Sequence, residues 1–180
     1  MDTNPLKKLD IKDLQLNPFT MFAEDWGLLT AGNQAVGYNT MTISWGHIGS
    51  IWNGLGTPTI ITYVRPQRYT KQFMDANDKF TVSIIGQEHK QDLTYLGKTS
   101  GADVDKVANT SLTPVFDEEV TYFKEAKYVF VCRKLYVDEL KENGFLDKGI
   151  VESAYPLKDF HHMYVGEIVE VFGKRCSVLL

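Results

Sequence analysis

The sequence predicts a mainly β fold, an antiparallel barrel with a few helices packed outside it. Three observations carry that expectation. Five or six stretches read as strands, by period-two alternation or as β-branched runs. Two or three short stretches read as helices, and they do not alternate regularly with the strands, which argues against a doubly wound parallel sheet. The chain has 180 residues, 43% hydrophobic and 23% charged, a length and composition that suit one domain with a sizeable core.

In chain order, residues 1–18 are polar and carry Pro5 and Pro18; they read as an N-terminal arm ahead of a domain over 19–180. Phe19 to Thr30 is expected as a first strand or hairpin arm that ends at the turn signal Ala31-Gly32-Asn33. The next strand, Asn39-Thr40-Met41-Thr42-Ile43-Ser44-Trp45-Gly46, organises the rest. Thr40, Thr42 and Ser44 alternate with Met41, Ile43 and Trp45, which gives one hydroxyl-bearing face and one apolar face. Small hydroxyls in a row can sit against a flat, polar-edged ligand, and the same pattern fits any half-buried strand.

His47 to Pro58, with Gly49, Gly54 and Gly56, reads as a loop, and Gly54-Leu55-Gly56 lacks the third glycine of a dinucleotide fingerprint. Thr59 to Val64 is a β-branched strand closed by Arg65-Pro66. Tyr69 to Asn77 fits an amphipathic helix with Tyr69, Phe73 and Ala76 on one face. Lys79 to Ile85 alternates, with Phe80, Val82 and Ile84 opposite Thr81 and Ser83. Glu88 to Leu96 reads as a helix that stops at Gly97. Then come a loop from Lys98, a short helix over Asp103 to Asn109 and a turn at Thr113-Pro114. Glu125 to Val137 is the longest strand, and Phe145 to Lys148 is at most one helical turn. The last strand, Met163 to Phe172, loses its alternation near Gly166, as a bulge would cause.

Charge and cysteines narrow the partners. The net charge is −4 with no basic stripe, which argues against nucleic acid. No apolar run approaches a membrane span, and the N-terminus has no apolar signal core. Cys132 and Cys176 form no CxxC pair, as expected of a reduced, cytoplasmic protein.

Three constellations could carry chemistry. Tyr63-Val64-Arg65-Pro66-Gln67-Arg68-Tyr69-Thr70 puts two arginines and a hydroxyl where a strand gives way to a helix, an arrangement suited to phosphate or equally to an exposed capped turn. Gly97-Lys98-Thr99-Ser100-Gly101 through Lys106 resembles half of a P-loop, but Asp92 stands where the first glycine is required. It remains a second anion cradle or a solvated loop. His161 and His162 are adjacent, so on a strand they face opposite ways and cannot chelate one metal. One of them could face a cleft and donate a proton or hydrogen bond. No G-x-S-x-G or HExxH is present.

Together these segments resemble the flavin reductase-like, FMN-binding split-barrel family, and its flavoredoxin branch in particular. The resemblance runs over about residues 19–172 through NTMTISWG, TPTIITYVRPQRYT, FTVSI, GKTSGADVDKV, LTPVF, VFVCRKLY and HHMYVGEIVEV in that order. It implies a split β-barrel that forms a homodimer and binds FMN non-covalently. It implies that Asn39, Thr40, Met41, Thr42, Ser44 and Trp45 lie along the isoalloxazine. Arg65, Arg68 and Thr70 would lie near the ribityl phosphate, and Ser100, Gly101 and Lys106 would reach the same ligand. His162 or His161 would hold the position that related reductases use near the flavin. Two functions follow: an oxidoreductase fed transiently by NADH or NADPH, or an electron carrier working with a redox protein partner and no small substrate. The chain's own version of the first motif differs from that of generic flavin reductases.

Overall fold

A computed structural model of the chain describes residues 4–54 and 56–174. Cys176 lies outside the described residues. The elements in chain order are β1 (Lys7–Lys8), α1 (Pro18–Thr20), β2 (Gly27–Asn33), β3 (Gly37–Ile43), β4 (Gly46–Ile51), β5 (Thr57–Val64) and α2 (Thr70–Ala76). They continue with β6 (Lys79–Ile84), α3 (Lys90–Lys98), β7 (Pro114–Phe116), β8 (Thr121–Phe123), β9 (Tyr128–Glu139), α4 (Lys148–Ala154) and β10 (His162–Gly173). One antiparallel sheet runs β3-β2-β6-β9-β10-β5-β4, with β1 paired to β10, while β7 and β8 form a separate hairpin.

Alternation decides which way each strand faces. Leu29 of β2, Met41 and Ile43 of β3, Phe80 and Val82 of β6, Phe130 of β9, Tyr164 of β10 and Ile60 of β5 all enter one buried cluster. Ile48 of β4 packs against it as well. Both ends of the sheet therefore meet a single core, so the sheet is curled into an open, split barrel whose end strands are β3 and β4. On the outer face, Leu28, Val129 and Val131 pack with Leu93 and Leu96 of α3 and with the β7–β8 hairpin. The polar N-terminal arm lies along this body, with Leu6 buried in the outer cluster. Among the described residues no helix is long and apolar enough to cross a membrane.

The expected interruption in the last strand is present. The β10–β9 register shifts between Val165 and Gly166 and again between Ile168 and Glu170. A Cβ on Gly166 would lie 2.5 Å from Phe80 Cζ, so the strand needs glycine where that ring crosses it.

Several sequence expectations are corrected. Phe19 to Thr30 is not one strand: α1 and a π-turn over Met21–Asp25 precede β2. Asn17 caps α1 by accepting from Phe19 N–H (3.1 Å), and Pro18 begins it, so the Asn-Pro pair was a legible start signal. The turn expected at 31–33 falls later, because β2 runs on to Asn33. His47 to Pro58 is not simply a loop: β4 occupies Gly46–Ile51 as an end strand whose mostly exposed side chains hide its alternation. Of the helix expected over Asp103 to Asn109, only a 3-10 turn at Val107–Asn109 forms. The turn expected over Phe145 to Lys148 is instead followed by a helix over Lys148–Ala154, started by Asp147 accepting from Gly149 N–H (2.9 Å).

Candidate functional site

β3 is an end strand, so backbone groups that point away from β2 have no sheet partner. Two connected cavities run along this edge. The first, about 200 Å³, is lined by Met41, Thr42, Ser44 and Trp45 with Tyr63, Arg65, Arg68 and His161. The second, about 340 Å³, continues from Met41 and Arg68 to Asn39, Thr70, Lys98, Ser100, Gly101 and Lys106. The structure thus brings together every expected site residue except two. Thr40 is fully buried, where it accepts from Thr30 Oγ1 (2.9 Å) and donates to Leu29 O (3.3 Å). His162 lines another cleft, with Lys71, Gln72 and Asp75, which borders the first two at Arg68. The hydroxyl row is largely occupied within the protein, since Thr42 Oγ1 also donates to Leu93 O of α3 (2.5 Å).

The second cavity is assembled around Asn39. Its amide donates to Thr70 Oγ1 (2.8 Å), which ties β3 to the start of α2. The loop after α3 closes against the same side chain: a Cβ on Gly101 would collide with Asn39 Oδ1. Lys106 is only 4% exposed. Its ammonium donates to Leu96 O (2.9 Å) and Thr99 O (3.0 Å), carbonyls at the C-terminal end of α3 that lack helical partners. Burial, and secondarily the charge of Arg68, lowers its pKa from 10.5 to about 8. Arg68 donates to Gly97 O (3.0 Å). Neither cavity lining includes a carboxylate.

Arg65 is held differently. Its guanidinium pairs with Asp159 (2.6 Å), donates to Ala154 O (2.8 Å) and lies 5.1 Å from the Tyr155 ring centre. It fixes the segment that leads into His161. His161 Nδ1 hydrogen-bonds the Tyr155 hydroxyl (2.8 Å), and its ring lies 4.9 Å from Trp45 and 6.5 Å from Tyr63, centre to centre. Burial first, then Arg65, lowers its pKa to about 4, so the ring is neutral near pH 7. As alternation requires, His162 turns to the other side. Tyr155 and Asp159 were missed in the sequence, and Tyr63, at the start of the basic segment, was given no role. The signal that could have found them is pairing: His162 lies opposite Val64, so an antiparallel partner brings Arg65 beside residues just before His161.

Fold and cavity define an open antiparallel barrel with an anion-attracting cleft along one end strand. The chain belongs to the family described as flavin reductase like domain, whose model matches residues 20–177. Among solved structures it resembles flavoredoxin from Methanosarcina acetivorans, with 21% identity, 84% of this chain and 69% of that one covered, and a TM-score of 0.61. Flavoredoxin of Desulfovibrio vulgaris (Miyazaki F) gives 22% identity, 81% and 67% coverage and a TM-score of 0.59. The styrene monooxygenase flavin reductase from Pseudomonas putida S12 gives 15% identity, 85% and 80% coverage and a TM-score of 0.59. At these identities the likeness is one of fold. No curated protein matches the chain.

Proposed function

We propose that the chain binds FMN non-covalently and acts as a flavin reductase-like oxidoreductase. One observation carries the reading: Arg68, Lys98 and Lys106 converge on a cavity whose lining has no carboxylate. Such a set attracts a phosphate monoester and neutralises it. Lys106 is the key member, because among the described residues its buried ammonium is met by carbonyl oxygens and by no carboxylate. Thr70 accepts from Asn39 and keeps its own O–H to donate to the same phosphate. The end-strand backbone of β3, from Met41 to Trp45, suits the polar rim of a flat ring. FMN, when bound, supplies the hydride and electron chemistry. His161, neutral and fixed by Tyr155, is the side chain placed to hold or pass a proton in that cavity. His162 lines another cleft and is set aside from this role.

NADH or NADPH is the proposed transient donor. A second reading, an electron carrier for protein partners, is favoured by Trp45, which is 48% exposed at the cavity mouth and packs on His161. Two of the similar structures are flavoredoxins. A homodimer is also proposed, since Trp45, Ile51 and Trp52 are exposed large apolar side chains on or beside β4. The test is to purify the protein, denature it and identify the released flavin by chromatography, then mix the holoprotein anaerobically with NADH and NADPH. FMN release with rapid bleaching is expected. Bleaching only by a reduced redox protein selects the carrier, and a colourless protein that takes up no added FMN refutes the binding.

A further inference from the structure

Tyr155 and His161 stand on the segment between α4 and β10, and both are buried (3% and 8% exposed). The phenolic oxygen lies 2.8 Å from Nδ1 of the imidazole. The phenol is held on several sides. Phe145 and Phe160 pack on its ring at 5.6 and 4.9 Å between centres. The Arg65 guanidinium lies 5.1 Å from the ring centre, and Asp159 and Ala154 O hold that guanidinium in turn. The 2.8 Å contact admits two proton arrangements. In one, the phenol donates to Nδ1 and Nε2 carries the imidazole hydrogen. In the other, Nδ1–H donates to the phenol and Nε2 is a bare acceptor.

The surroundings select the first. The main-chain N–H of His161 also faces the phenolic oxygen. An Nδ1–H would be a second donor to that oxygen and would leave the phenol's own hydrogen without an acceptor, because among the described residues this hydroxyl bonds no other side chain. A buried donor left unmet carries the full cost of its desolvation. Burial raises the phenol's pKa, and the positive charge of Arg65 works against that rise and keeps the O–H a good donor. Nε2 has no hydrogen-bond partner among the described residues and is not sealed from solvent, so it opens on the cavity that His161 lines with Trp45, Tyr63 and Arg68. We propose that Tyr155 is a positioning residue: it donates to Nδ1, locks His161 in the Nε2–H tautomer, and so makes the imidazole a hydrogen-bond donor to a carbonyl oxygen in the cavity. A neutral imidazole N–H polarises a carbonyl without itself becoming charged. That carbonyl comes from the flavin ring or from the molecule that exchanges electrons with it. The tautomer stands without the flavin reading; only the ligand rests on it.

Long-range proton–nitrogen NMR of isotope-labelled protein reads the two ring nitrogens separately, and the signals lost in His161→Gln assign them. Near pH 7 the unaltered protein should show the hydrogen on Nε2 and a bare Nδ1. Tyr155→Phe keeps the ring's packing and removes the donor, so both nitrogens should move toward the averaged shifts of a tautomer mixture. A hydrogen on Nδ1 in the unaltered protein overturns the proposal, and that measurement decides even if the variant does not fold. A folded Tyr155→Phe protein with an unchanged tautomer also overturns it, since Tyr155 would then only pack. FMN is added next. If FMN shifts Nε2, the carbonyl belongs to the flavin. If Nε2 moves only when menadione, a quinone, is added to the FMN-loaded protein, the carbonyl belongs to the acceptor molecule. Nε2 unmoved by either, in a protein that binds FMN, overturns the donor role and leaves the flavin reading standing. An Nε2–H tautomer that Tyr155→Phe mixes, in a protein that takes up no FMN, upholds the positioning by Tyr155 and removes the flavin reading.

Discussion

The two ends of the cleft beside β3 hold their cations in opposite ways. At one end Arg65 is bound to a carboxylate, Asp159, and to the Tyr155 ring. At the other, among the described residues, Lys106 and Arg68 are bound to main-chain carbonyls. A carbonyl orients a cation without cancelling its charge, whereas a carboxylate cancels it. In the proposed flavin site, the first end therefore serves position and the second meets the anion. Sequence places both arginines in one RPQR segment and treats them alike; the difference lies in what each one meets.

The largest expected effect is at the anion end. Lys106→Ala should weaken FMN binding by about 1.5–3 kcal/mol, the range for a hydrogen bond to a charged group, measured by titrating apoprotein. If affinity is unchanged, the charge contact belongs to Arg68 or Lys98. Gly101→Ala drives a methyl into Asn39, so overpacking should cost about 1–3 kcal/mol of stability, read by urea unfolding. Loss of FMN affinity should accompany it, because Asn39 ties β3 to Thr70.

The pH dependence sharpens the contrast. In the free protein Lys106 loses its proton near pH 8, and a bound phosphate holds that proton on. Below pH 8 the charge is already present and affinity is flat. Above it, binding must recover the proton, so affinity should fall by up to about tenfold per pH unit. Titrations from neutral to alkaline pH check this, and Lys106→Met should remove the slope. The smallest effect belongs to the positioning end. Arg65→Ala should cost about 1–2 kcal/mol of stability, between values for exposed and buried pairs. It should weaken FMN less than Arg68→Ala does; the reverse ranking would break the comparison.

How much of this was legible follows from what each signal depends on. The stretches expected as strands over Lys79 to Ile85 and Glu125 to Val137 hold the central strands β6 and β9, because a strand buried in the middle of a sheet is rich in apolar and β-branched residues. β4 was not legible, since an exposed end strand needs no apolar period. The site's residue types were legible, as eleven of the twelve residues expected at the flavin line the cleft and Thr40 alone does not. Their roles were not. The Thr40 and Thr42 hydroxyls read as ligand donors, yet Thr30 and α3 claim them across the fold. Lys106 read as part of an anion cradle or of a solvated loop, and its burial against the end of α3 was not foreseen.

The central claim is that the carbonyl-held cations bind the phosphate of a flavin. It is tested most directly by titrating the apoprotein with FMN and with riboflavin, which differ only in that phosphate. FMN should bind at least about tenfold more tightly, and Lys106→Ala should close most of the gap. Equal affinities for the two flavins in the unaltered protein would contradict the account.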